Sequence, residues 1–376
     1  MKPSLRSLHL WIPELAGPGG IQAQARSLVQ ACITILPESA LAVVVKNGPV
    51  PSCERNLEYC SSGHLSPGLR APAFAALALH AMLRRAPELV IVTHLHLAPL
   101  AAWLQRFFRF RYWVVAHGIE ARFPLSQPRL HALRRAEKVL AVSDHTARLL
   151  RASLGAGSRV TEILPNTVDE THFMPGPKPM HLLRRYGLSE SDRLLLTVAR
   201  LDPNERYKGC DLVLEAMALL RGEVTGLRYL IVGPGEDSTR LRRRARDLGL
   251  EKQVLLTGFL PERELRDHYN LCDLFVMPSR AEGFGIVFLE ALACGRAVVA
   301  GNSDGASAPL LHGKLGRLVD PDDPAELART ILHLLRGAPA PQFQPERLRQ
   351  VALDHFGRIA FRRRLSALLA GEPCAA

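Results

Sequence analysis

No uncharged apolar stretch of this 376-residue chain reaches the roughly eighteen residues that a membrane-crossing helix needs. The nearest, APAFAALALHAML, is interrupted by His80 and followed by Arg84 and Arg85, so the chain reads as soluble or peripheral. A secretory leader is also missing. The apolar run in MKPSLRSLHLWIPELAG is brief, holds His9 and lacks a small-residue cleavage site, and it reads as a first strand. Cysteine is sparse and unpatterned: the seven (Cys32, Cys53, Cys60, Cys210, Cys272, Cys294, Cys374) include no C-x-x-C pair and no histidine at zinc-finger spacing. That argues against a disulfide framework or zinc module and for a reducing cytoplasm. Acidic residues are the minority charge, 36 against 48 Lys and Arg, and the net charge of +12 calls for an anionic partner. Most of the excess precedes residue 177, where 19 basic residues face 11 acidic ones. Yet there is no helix-turn-helix signature, zinc finger or aromatic RNP motif, so nucleic acid is not expected as a partner. No period-fixed internal repeat is present.

What the chain does have is a βαβ series. Short continuous apolar runs, among them ALAVVV, ELVIVT, RYWVVAHG and KVLAVS, then RLLLTVAR, LRYLIVGPG, DLFVMPS and AVVAG, alternate with helical patterns that end in glycine. Continuous rather than alternating apolar strands indicate parallel sheets covered on both faces. The length suits two domains. Pro175, Gly176, Pro177 and Pro179 mark a linker, giving domains of residues 1–176 and 177–353 and an α/β class with two doubly wound sheets. A second Pro-rich break, GAPAPQFQPE, precedes a last amphipathic helix starting near Asp354.

The chemistry is most legible in PSRAEGFGIVFLEALACG. Glu290 falls inside an apolar helix, where an unpaired carboxylate is costly to bury, so it needs a partner. Glu282 precedes that helix on a Gly-rich turn, and both carboxylates can point into one cleft. Gly283 and Gly285 allow close backbone approach to a ligand, and the helix start offers N–H groups to an anion. This segment, with VAR-LDPNERY-KG, resembles the retaining nucleotide-sugar glycosyltransferases of the GT-B fold, family four. The resemblance runs over nearly the whole chain: Gly19-Gly20, His117-Gly118, Val142-Ser143, Pro165-Asn166, Arg200 with Lys208-Gly209, Val232-Gly233 and the final Glu motif stand in family order.

The resemblance implies two Rossmann-like domains facing across a cleft, with a C-terminal helix (354–376) completing the first, acceptor-side domain and residues 177–353 binding the donor. It implies transfer of a hexose, with mannose from GDP-mannose preferred, to a lipid-linked or oligosaccharide acceptor of bacterial polysaccharide or lipopolysaccharide assembly. It also implies that the chain needs no cofactor and no metal ion. Arg200 and Lys208 are the implied cations for the leaving diphosphate, in a loop longer than the common family spacing, with Arg206 as substitute or helper. Glu282 is implied to contact donor-sugar hydroxyls and Glu290 the ribose diol. His117, ending a strand, is implied near the reacting carbon. Gly19, Gly20, Gly233, Leu260, Gly283, Phe284 and Gly285 complete the implied donor-binding set.

Other features read more plainly. Ser143-Asp144 looks like a helix N-cap whose hydroxyl can also reach phosphate. Asn166-Thr167 replaces the family's Asn-Gly turn, and Asp320-Pro321-Asp322 reads as a cap rather than a metal motif. His94 and His96 lack a third ligand for a metal and are expected, with Ser143 and Asn166, on the acceptor side. The stretch WLQRFFRFRYW interleaves Arg106, Arg109 and Arg111 with aromatics and suits an anionic membrane surface at the inner face of the plasma membrane. Three competing readings stay open: a GT-B epimerase or phosphorylase, a basic nucleic-acid-binding protein, and an NAD-dependent oxidoreductase. The last is disfavoured because Ser238 stands where a third Rossmann glycine belongs.

Overall fold

The computed structural model describes residues 5–51, 57–155, 161–337 and 341–372. Cys53, Cys374 and residues 338–340 of the second Pro-rich break lie outside them. Two compact units form, Met1–Thr167 with Arg358–Ala376, and Val168–Gly357.

The first unit is a seven-stranded sheet of order β3-β2-β1-β4-β5-β6-β7. Its strands are β1 Ser7–Glu14, β2 Ala40–Asn47, β3 Leu57–Ser61, β4 Leu89–Val92, β5 Arg111–Ala116, β6 Lys138–Ala141 and β7 Thr161–Ile163. Every pairing is parallel. β4 and the middle of β2 are buried on both faces, which is why their apolar runs are continuous. Trp11 meets Phe74 of the helix Pro67–Arg84 edge-on at 6.2 Å inside the core on one face. The helix Arg358–Leu369 packs on Gly20–Ile35.

The second unit has a six-stranded parallel sheet, β10-β9-β8-β11-β12-β13. These are β8 Arg193–Val198, β9 Leu227–Val232, β10 Val254–Gly258, β11 Leu274–Met277, β12 Ala297–Gly301 and β13 Arg317–Val319. Its core gathers Leu195, Tyr229, Ile231, Val276 and Val299 against the helix Cys210–Leu219, and the buried Tyr229 hydroxyl is matched by Thr197 Oγ1 at 2.7 Å. Strand order reverses between β1 and β4 in one sheet and between β8 and β11 in the other. Ligands of open α/β sheets bind beyond the strand carboxyl ends at such points.

Three expectations shift. The Pro-rich run 175–179 is held within the second unit, where Gly176 N–H donates to Asn270 Oδ1 at 3.0 Å and Lys178 pairs with Asp273 at 3.1 Å. The last helix is two, Pro345–Phe356 and Arg358–Leu369, broken at Gly357, where a Cβ would stand 2.6 Å from the Leu353 carbonyl oxygen. Of the acidic run before the helix Pro324–Arg336, Asp323 is the cap; Asp320 accepts from the Asp322 N–H and Asp322 pairs with Arg280.

Candidate active site

In the first unit, residues from separate strands meet at the carboxyl ends of β1, β4 and β5. After β1 the chain turns through Gly19, at φ 140°, into the helix Gly20–Ile35. A side chain there would strike the Gln22 amide, whose nitrogen donates to Glu14 at 2.7 Å, while Arg26 donates to the carbonyls of Leu15 and Gly17. After β4 come His94 and His96, and after β5 His117; the His94 ring lies 4.5 Å from His96 and 6.1 Å from His117. His117 Nε2 donates to the Thr93 carbonyl at 2.8 Å, which leaves Nδ1 as the acceptor of the neutral ring. His94 Nδ1 accepts from the His96 N–H, so its proton is on Nε2. Burial pulls the His94 pKa down to about 4, against an opposing pull from Glu120, and keeps the ring neutral at physiological pH. Ser143 caps the helix Asp144–Leu154 through the Thr146 N–H at 3.0 Å. Asn166 is buried, and Thr167 is not in the left-handed region that a Gly at that turn would have suggested.

In the second unit the β8 and β11 ends are stitched together. The Arg280 N–H donates to the Tyr207 carbonyl at 2.9 Å, and Gly209, at φ 84°, passes so close to Pro278 that a Cβ would lie 2.4 Å from its oxygen. This brings Lys208 within 3.6 Å of Glu282 Oε1 and 3.2 Å of Glu205 Oε2; Arg200 pairs with the other oxygen of Glu205. Burial opposes the Lys208 charge, but Glu282 and Glu205 outweigh it and raise its pKa above the ordinary lysine value. The Arg200 side chain is 70% exposed. Arg206 turns elsewhere, to Asp237 at 3.2 Å, in a group with Arg240 and Asp211.

Glu290 finds its partner in Tyr269, whose hydroxyl donates at 2.6 Å. Gly285 opens the helix Ile286–Ala293 at φ 82°. The Phe284 ring, expected among donor contacts, is buried edge-on to Phe356 at 5.7 Å and belongs to the core; Leu260 is likewise buried. Gly233 and Gly235 let the loop after β9 run against β8: a Cβ at Gly233 would lie 1.9 Å from the Ala199 oxygen, beside Arg200.

The family model described as Glycosyl transferases group 1 matches residues 182–350, and that described as Glycosyltransferase Family 4 matches residues 41–172. The GDP-mannose-dependent alpha-(1-6)-phosphatidylinositol monomannoside mannosyltransferase of Mycolicibacterium smegmatis is 35% identical over 68% of this chain and 69% of its own. The chain belongs to the group 1 glycosyltransferases. A D-inositol 3-phosphate glycosyltransferase of Geodermatophilus obscurus is 33% identical over 64% of this chain, which spans about half (53%) of that relative's length. Among solved structures, Anabaena HepE in complex with UDP and glucose matches 97% of this chain and 99% of its own with a TM-score of 0.77 at 18% identity. That likeness gives the fold, GT-B with two Rossmann-like domains.

Three polar residues of this glycosyltransferase escaped the sequence reading. Asp304 is buried and accepts from the Glu282 N–H, Ser279 Oγ at 2.8 Å and the Ala306 N–H at 2.9 Å, so it pins the Glu282 turn. Burial, resisted by those donors, lifts its pKa to about 6. Glu120 accepts from the His117 N–H at 2.9 Å, and Glu205 bridges the two cations. A D-G or H-G-x-E string names no such partner: Asp304 joins the loop after β12 to the loop after β11, while Glu120 and Glu205 act inside loops that carry no periodic pattern. Among the described residues no His, Cys, Asp and Glu group has metal-binding geometry, and no helix is long and apolar enough to cross a membrane.

Proposed function

We propose that this glycosyltransferase moves a hexose, mannose by preference, from a nucleoside-diphosphate sugar to a lipid-linked or oligosaccharide acceptor, with retention and without a metal ion or other cofactor. The Arg200, Lys208 and Glu282 group at the second sheet's switch point carries the reading. Expelling a nucleoside diphosphate builds negative charge on the leaving group, and cations already in place stabilise it. Arg200 and Lys208 supply that charge. Glu282, held 3.6 Å from the Lys208 ammonium, accepts from donor-sugar hydroxyls, and Glu290, oriented by Tyr269, accepts from the ribose diol. Glu282 thereby positions the donor and is not a covalent nucleophile; the leaving phosphate takes the acceptor proton. Gly19 and Gly20, at the start of the helix Gly20–Ile35, offer backbone N–H groups to an anionic part of the donor. His117 serves the acceptor hydroxyl, with His94 and His96 beside it. The likeness to a GDP-mannose-dependent enzyme acting on a phosphatidylinositol mannoside supports the donor and a lipid-borne acceptor. Assembly of bacterial surface polysaccharide or lipopolysaccharide is the process we assign, by analogy of fold.

Thermal unfolding with UDP, GDP, ADP and CMP in turn, with EDTA present, tests the reading. A ligand at a hundred times its Kd adds about 2.7 kcal/mol. GDP is expected to raise the midpoint, and Arg200→Ala to abolish the rise. If no nucleotide acts, or the rise survives in Arg200→Ala, the reading fails.

A docking surface on the first unit supports a cytoplasmic, membrane-peripheral location. Trp103 and Phe107 are 52% and 67% exposed and meet edge-on at 5.1 Å, beside exposed Arg106 and Arg109, whereas Phe110, Tyr112 and Trp113 are core. Basic residues beside exposed aromatics suit an anionic bilayer. The patch lies at the amino end of β5 and His117 at its carboxyl end, about 20 Å apart at the usual strand rise. Wild type is expected to pellet with anionic vesicles at low salt and Arg106→Glu/Arg109→Glu to stay in solution; identical behaviour sinks the proposal.

A further inference from the structure

Arg200, Lys208, Glu205 and Glu282 form a closed set of two cations and two carboxylates with no net charge. The pattern is uneven. Glu282 touches Lys208 alone, at 3.6 Å, while Glu205 gives one carboxylate oxygen to Arg200 and the other to Lys208, the latter at 3.2 Å. A single group bridging both cations, one oxygen to each, is what a diphosphate does when it meets the same pair. The Glu205 side chain is only 10% exposed, so it lies within the cation pair and not over it.

Geometry allows it to leave. Glu205 has φ −110° and ψ 22°, an irregular residue inside the short 3-10 segment Pro203–Lys208, and Asp202 holds the start of that segment by accepting from the Asn204 N–H at 2.8 Å. Lys208 is fixed independently, through Gly209 against Pro278 and Tyr207 against Arg280, so the cation stays when the carboxylate swings away. Retention of Glu205 during binding would put its charge against the incoming phosphates, an interaction strongest where water is scarce.

We propose that Glu205 is a placeholder carboxylate: it occupies, between Arg200 and Lys208, the position that the donor's diphosphate takes, and binding displaces it. This rests on the reading of Arg200 and Lys208 as the diphosphate cations. With the site empty, the carboxylate keeps two like charges paired and in register. On donor binding it is exchanged for phosphate oxygens, so the diphosphate competes with a built-in anion and affinity for donor and product is lowered together. Glu205 is thus a positioning residue that tunes donor affinity and product release.

The test compares the full chain with Glu205→Gln, which keeps the shape and removes the charge, by titrating GDP and UDP and, in parallel, guanosine and uridine. The variant is expected to bind the effective diphosphate roughly three- to thirtyfold tighter, a range set by one partly screened charge contact, while the bare nucleoside is unaffected. In steady-state turnover the donor KM falls and kcat does not rise. A general change in folding would move nucleoside and diphosphate together. Should Glu205→Gln prove unstable, Glu205→Ser is titrated against the same four compounds and the same change in selectivity is expected. If wild type binds neither diphosphate, the donor reading itself is overturned and this inference with it. If wild type binds one and the variants bind it no tighter, the donor reading stands and the placeholder is overturned.

Discussion

A methyl group at Gly233 would stand 1.9 Å from the Ala199 carbonyl oxygen, and the backbone there is at φ 139°, where L side chains are strained. Neither fault can be relieved locally, because Ala199 N–H is tied to the Val232 carbonyl at 2.9 Å and Leu201 N–H to Pro234 at 2.8 Å. Gly233→Ala is therefore expected to destabilise the second unit by about 2–4 kcal/mol, combining backbone strain with overpacking. It should also displace Arg200 and weaken nucleoside-diphosphate binding. Gly222→Ala is the contrast, since φ is 83° there but nothing lies within 4 Å of a new Cβ, and about 1–2 kcal/mol is expected. Urea denaturation of both variants checks the pair; equal losses would show that the close approach to Ala199 carries no weight. Gly233 was legible through its place after an apolar strand. Asp304 was not legible, since its partners include a backbone N–H 22 residues away and a hydroxyl 25 away. A carboxylate serving a turn has no periodicity to betray it.

At the scale of elements, legibility followed burial. Strands flanked by sheet on both sides, such as β4 and β11, read as continuous apolar runs because no position in them needs to be polar; of the edge strands, β7 and β10 were read as well, from RVTEIL and QVLLTG. The two that went unread are edge strands: β3 and β13 each have one neighbour, and their residues are mostly half-buried or exposed. Water satisfies part of such a strand, so its composition need not be apolar. The stretch 103–113 divides for the same reason. Its last part is the buried β5 and its first part a surface turn, and alternating Arg with Phe gives no sign of where one becomes the other. Pro175 to Pro179 misled in the opposite sense, since proline marks a chain that cannot pair in a sheet, and such a chain can still pack, as Gly176 does on Asn270. The candidate residues most legible in the sequence are those that follow strand ends, His117 after β5, Arg200 after β8 and Glu282 after β11.

For the whole molecule, acid acts on the two units unequally. Burial pulls His9 down to about 4, the Arg85 backbone and Glu58 offsetting it only in part, and pulls His94 to about 4 as well; His96 and His145 are also lowered, chiefly by burial. All four are in the first unit. A depressed folded-state value means that below the unfolded value near 6.5, and for His9 and His94 down to about 4, the unfolded chain takes up a proton that the folded one refuses. The stability these groups allow is complete above pH 6.5 and is lost as pH falls toward 4. For His9 alone the loss is roughly 2 kcal/mol by pH 5. In the second unit His268 acts the same way, but Asp304, raised to about 6, has the opposite sign: the folded state takes the proton first, and stability rises as pH falls through 6. The two partly cancel. Acidification from pH 7 to 5 is therefore expected to open the first unit before the second. Hydrogen exchange read by mass spectrometry should record lost protection in β1, β2, β4 and β5 while β8, β9 and β11 hold. His9→Leu, which cannot take the proton, should narrow that gap. Simultaneous loss in both sheets, or a gap unchanged in His9→Leu, would refute the assignment of acid lability to the buried neutral imidazoles.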